Sequence, residues 1–147
     1  MRKSEKLNSE NVDLNGFEIG HSSTMGYKRS MEDKHIIDGF ELKDHTLVAV
    51  MDGHGGEFAA QFTSTALKTT IEKTAQWIEY STLNAEAQAE RVDLISQALV
   101  QAYIQIDKDL LHSVEAELMV STPCFLFSNF MHHLMCTICR SVLAAAR

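Results

Sequence analysis

Thr46-Leu47-Val48-Ala49-Val50-Met51-Asp52-Gly53-His54-Gly55-Gly56 is the stretch that decides how this chain is read. Its first six residues are nearly all apolar and partly β-branched, and a glycine cluster closes them. Such a run reads as a strand buried on both faces. The strand delivers a carboxylate and an imidazole to its tip. Three glycines keep the backbone there bare enough to turn sharply and to approach a ligand closely. A carboxylate at the end of a rigid strand suits a hard divalent cation, because Mg²⁺ and Mn²⁺ take oxygen ligands. An Asx-type turn with a solvent-exposed His fits the same residues.

Upstream lies Gly26-Tyr27-Lys28-Arg29-Ser30-Met31-Glu32-Asp33-Lys34-His35, which sets two basic residues beside two acidic ones. Alone, this is a solvated charged loop. Placed before an apolar strand that ends in Asp-Gly-His-Gly-Gly, it resembles the N-terminal motifs of the metal-dependent protein Ser/Thr phosphatases, the PPM or protein phosphatase 2C family. The order that carries the resemblance is a basic residue, Met-Glu-Asp, a strand, Asp-Gly-His-Gly-Gly, then an Ala-rich helix start. It extends from Phe17 to Leu111.

The rest of the chain frames those motifs. A length of 147 residues suits a single core. The net charge of −7, with no basic stripe, excludes nucleic acid as the default partner. Met1 to Gly16 mixes charges with Asn and Ser, so residues 1–16 read as a disordered N-terminal tail. No secretory segment is visible there, which points to the cytoplasm, with the nucleus as the other compartment. Phe17–Gly20 reads as a first strand, Lys34–Phe40 as a second, and Leu42–His45 as the turn into the glycine-tipped strand. Short strands with tight connections imply antiparallel sheet.

After Gly56 the apolar period becomes helical. Phe58, Phe62, Ala66 and Thr69/Thr70 recur at helical spacing, and Trp77 and Ile78 continue the stripe. After a polar break at Ser81–Asn84, a second stripe runs through Val92, Ile95, Leu99, Ala102/Tyr103, Ile106 and Leu110. The two helices are expected to pack on one face of the sheet, with the stripes as core. The segment 119–147 is a divergent apolar tail that holds all three cysteines, and nothing in it resembles the phosphatase family. Cys136-Thr137-Ile138-Cys139 follows His132-His133, but one compact pair without a distant second pair is weak support for zinc. Asn129, His132, His133 and Arg140 interrupt the apolar run, so stable membrane insertion is not expected.

The resemblance implies an α+β fold: the N-terminal part of a PPM-type β-sandwich of antiparallel sheets, flanked by a pair of helices. It implies a pair of Mn²⁺ or Mg²⁺ ions and a phosphoprotein substrate. By that resemblance Asp52 bridges both metals, the Gly53 carbonyl adds an oxygen, and Glu32 binds one metal. Asp33 orients the attacking water, and His54 is the general acid that protonates the departing Ser or Thr oxygen. A basic side chain at Lys28 or Arg29 holds the substrate phosphate. In most members the phosphate-binding residue is Arg at the position of Lys28, and Lys lacks the bidentate fork. The family domain is longer than this chain, and its second half supplies further aspartates in Asp-Gly and Asp-Asn contexts. After Asp52 the only aspartates are Asp93, Asp107 and Asp109, and none precedes Gly or Asn. The sandwich is therefore expected to be incomplete, with self-association through its unpaired edges. Two functions follow: a dimetal protein Ser/Thr phosphatase, or a truncated, inactive phosphatase-like fragment that acts by partner binding.

Overall fold

The computed structural model describes residues 7–27, 29–53, 57–118 and 134–140. They fall into two compact units, Met1–Ala60 with His133–Arg147, and Gln61–His132. The chain is α+β with antiparallel sheets.

In the first unit, β1 (Leu7–Leu14) and β2 (Phe17–Thr24) form a hairpin in the register Leu7↔Thr24 to Leu14↔Phe17. Asn15 and Gly16 connect them at φ 51° and 80°. Two consecutive left-handed residues match the right-handed twist of the strands they join, which is why Asn-Gly favours a two-residue hairpin. This corrects the expectation of a disordered tail over residues 1–16: from Leu7 onward the chain is strand. Polar composition suggested disorder, but the Asn-Gly turn and the alternation of Val12, Leu14, Phe17 and Ile19 prevail.

A second sheet has the order β3-β4-β5, from β3 (Lys34–Gly39), β4 (His45–Met51) and β5 (Leu134–Arg140), all antiparallel. The Phe40 amide donates to the His45 carbonyl at 3.1 Å and closes the β3–β4 turn, in which Asp44 takes φ 63°. Part of the segment expected to be a divergent tail thus supplies a strand of the same sheet as the glycine-tipped one. Within β5, Cys136 is the ladder partner of Ala49 and Cys139 of Thr46.

One face of β4, with His45, Leu47, Ala49 and Met51, is buried. The other, expected to be buried too, is not: Thr46 is covered, Val48 is half-buried and Val50 is 49% exposed. The hairpin explains the difference. Its half-buried face carries Leu14, Phe17, Ile19 and His21. That face meets the side of β3 that carries His35 and Gly39, where a Cβ on Gly39 would stand 3.5 Å from Leu14 Cδ1. Two strands cover three incompletely, and Val50 is left at the uncovered margin.

The second unit is helical, and the unit boundary falls within the first helix. Where two helices were expected there are, among the described residues, four: α1 (Phe58–Glu72), α2 (Ala75–Thr82), α3 (Ala85–Glu90) and α4 (Asp93–Leu118). Thr74 and Asn84 cause the extra breaks. Each adopts an extended backbone and accepts from the amide three residues on, at 3.2 Å for Trp77 and 2.9 Å for Ala87. These are N-cap bonds, which start a new helix. The buried stripe of α4 is Leu94, Ile95, Ala98, Ala102, Ile106 and Leu110. Compared with the expected stripe, Val92 is exposed and Ala98 replaces Leu99 at the centre. Trp77 and Tyr80 of α2 are buried, and α2 and α4 are in contact. Among the described residues no helix is long and apolar enough to cross a membrane.

Fully buried Leu47, Leu67, Ile71 and Ile106 each contribute about 1.5–3 kcal/mol by transfer from water. No exposed ion pair matches that, so apolar burial holds both units. A polar tie across the first unit is made by Asn15, whose Nδ2 donates to the His45 carbonyl at 2.8 Å and lies 3.3 Å from Thr46 Oγ1. Asn15→Ala forfeits both the bond and the tolerance of positive φ. The expected loss is about 1–3 kcal/mol, read from urea unfolding, with Asn15→Gly losing less because it keeps the backbone geometry.

Candidate metal centre

The β3–β4 ladder ends at the pair Lys34↔Met51. Continuing that register by two residues sets Asp33 opposite Asp52 and Glu32 opposite Gly53. The structure bears this continuation out at Gly53. A Cβ there would stand 2.9 Å from the carbonyl carbon and from Cβ of Glu32, and closer still to the Glu32 carbonyl oxygen. Real Cβ contacts do not reach such distances, so this approach of two backbones requires glycine. Close approach is also one of the reasons that glycine is used beside ligands.

The two motifs separated in sequence therefore meet at the open end of one ladder. Asp52 and Asp33 are exposed, Glu32 is half-buried and Gly53 is buried. Ser30 Oγ donates to Glu32 Oε1 at 3.3 Å, a local bond within the loop that precedes β3. Arg29 is exposed in the same loop. Lys28 and His54, expected as phosphate ligand and general acid, lie outside the described residues.

A further residue pair belongs to this region and was not found from the sequence. Lys34 Nζ lies 2.9 Å from Glu57 Oε2, with side chains 26% and 62% exposed. An ion pair this open to water is worth at most about 1 kcal/mol. Its consequence is geometric, since it ties the residue after Asp33 to the residue just before α1 and brackets both motifs. The sequence signal, a Lys after Met-Glu-Asp and a Glu after Gly-Gly, has meaning only once the ladder register is known.

The donors fit a hard divalent cation in kind. Glu32 and Asp52 offer carboxylate oxygens and Gly53 a carbonyl, all from neighbouring ladder positions. Among the described residues no three His, Cys, Asp or Glu side chains gather closely enough to hold a metal ion. What the described chain contributes is two carboxylates and a carbonyl, and not a full cage.

Gly53→Ala tests the close approach. The added methyl must push the Glu32 backbone away, at a cost of about 1–3 kcal/mol of overpacking. Unfolding midpoints should fall accordingly, and amide shifts at Glu32 and Asp33 should move more than those in α4. A substitution without effect on either would contradict the geometry.

No curated protein matches the chain. The family model for protein phosphatase 2C matches residues 17–122, a span that begins at the first residue of β2 and includes both motifs, β3, β4 and all four helices. That match takes in well over half of the 147 residues, and the chain belongs to the protein phosphatase 2C family.

Proposed function

We propose that this chain serves in the hydrolysis of phosphoserine and phosphothreonine in proteins. The observation that carries the reading is the meeting of Glu32 with Asp52 and Gly53 at the end of the β3–β4 ladder, in a chain of this family. Membership of the family brings metal dependence and phosphatase chemistry at the level of the family. The roles of individual residues are the finer reading.

Glu32 and Asp52 would hold divalent cations through their carboxylates, and Gly53 through its carbonyl. When bound, Mn²⁺ or Mg²⁺ supplies Lewis acidity that activates water and offsets phosphoryl charge. Asp33, opposite Asp52, accepts a hydrogen bond from the attacking water and fixes its direction. Arg29 or Lys28 neutralises the equatorial phosphate oxygens. Arg29 offers a planar fork and Lys28 only a point charge. His54 donates a proton to the departing seryl or threonyl oxygen, which avoids a free alkoxide. Water attacks phosphorus directly in this scheme, so no nucleophilic Cys or Ser is required.

A second reading draws on the small number of donors among the described residues. On that reading the chain binds phosphorylated partners without turning them over.

Hydrolysis of a phosphothreonine peptide by the purified chain, with and without Mn²⁺, separates the two. Catalysis predicts turnover that needs Mn²⁺ and falls to background in Asp52→Asn, with Arg29→Ala raising KM. Mn²⁺-independent background from both folded proteins, alongside phosphopeptide binding weakened by Arg29→Ala, would establish the binding reading and reject the catalytic one.

A further inference from the structure

Two histidines meet where the hairpin lies against the three-stranded sheet. The rings of His21 on β2 and His35 on β3 stack with centroids 3.7 Å apart and planes 20° from parallel. Stacked neutral imidazoles attract by dispersion, whereas two imidazolium ions at this distance repel. We propose that the His21–His35 stack is a proton-operated clasp, which holds the β1–β2 hairpin on β3 when both rings are neutral and loosens it when they become charged.

The surroundings decide whether protons can act here. From β1, Glu10 is the ladder partner of His21 and faces the pair. From β4, the partner of His35 is Val50, and beyond the ladder end comes Asp52. From β5, the partner of Val50 is Met135. On β3 itself, Asp33 and Ile37 flank His35 at two residues' distance, and Lys34 beside it is engaged with Glu57. Carboxylates favour the charged ring, while burial and the second imidazole oppose it. Opposition wins: burial first and then His21 hold His35 below its ordinary pKa, although Glu10 pulls it upward.

The direction of the pH response follows. His35 binds its proton less readily in the docked hairpin than in the released one, so docking is unaffected by protons above the ordinary histidine range. As pH falls through that range the released form takes up the proton first, and docking weakens until the docked form is protonated as well.

The clasp has a place in the molecule's economy of motion. The loop from Met25 to Asp33, which carries Arg29 and leads to Glu32, is anchored at one end by β2 and at the other by β3. These are the strands that the two rings hold together. Release of the hairpin would therefore free one anchor of that loop while leaving the β3–β4 ladder paired.

The test is an NMR titration of the whole chain from pH 8 to 5, following both imidazole C2–H signals. Amide exchange, corrected for intrinsic rates, is followed in parallel. The clasp predicts that His35 titrates below the usual histidine range. It also predicts that β1 and β2 amides lose protection as pH falls while α4 amides keep theirs. His21→Phe, which keeps a ring but removes a charge, should raise the His35 midpoint and shrink the loss of hairpin protection. Glu10→Gln should lower that midpoint. Hairpin protection that does not vary with pH in the unmodified chain would overturn the proposal. So would an equal loss in hairpin and helices, which would be general acid unfolding, or a pH response unchanged by His21→Phe.

Discussion

The antiparallel register of β3 and β4 is the constraint on which the candidate centre depends. Once Lys34 is fixed opposite Met51, Glu32 and Gly53 have no freedom to choose other neighbours. Register in a sheet with one buried face is strongly held, because a slip of one residue would turn Leu47, Ala49 and Met51 to the opposite face. The burial of three apolar side chains thus determines where two carboxylates and a carbonyl lie.

Much of this was legible because it was local. The Asp52–Gly56 cluster after an apolar run, and Met-Glu-Asp before another, marked the ends of β4 and β3 to within a residue. That these ends face each other needed only an antiparallel turn between them. β1 was legible in principle, since Asn15-Gly16 between alternating residues is a strong hairpin signal, but the charge-rich composition outweighed it. The helical breaks at Thr74 and Asn84 were hidden for a different reason: a cap is one hydrogen bond, and a run of apolar spacing does not register it. The stripe of α4 holds at Ile95, Ala102, Ile106 and Leu110 and differs at Val92 and Leu99, in part because Ala98 contributes little hydrophobicity to a pattern.

Other features could not be read from a one-dimensional pattern at all. The Lys34–Glu57 pair and the His21–His35 stack join residues from separate elements and depend on registers that no single segment encodes. The pairing of Cys136 with Ala49 belongs to the same class. The backbone of Cys136 and Cys139 lies in β5, a strand of the sheet whose β4 leads to Asp52. The partial exposure of Val50 has a similar origin. It reflects the number of strands in the opposing layer, which the alternation within β4 does not contain.

The two hairpins and the third strand also differ in how far along the chain each contact must reach. β1–β2 closes over two residues and β3–β4 over a short turn, so both are low-contact-order ladders that form on the microsecond scale of hairpins. β5 reaches β4 only after the chain has passed through all four helices. Loop-closure entropy places that pairing late, and non-local strand contacts are what slow folding. The junction of Glu32 with Gly53 therefore rests on a local ladder, and the third strand on a distant one.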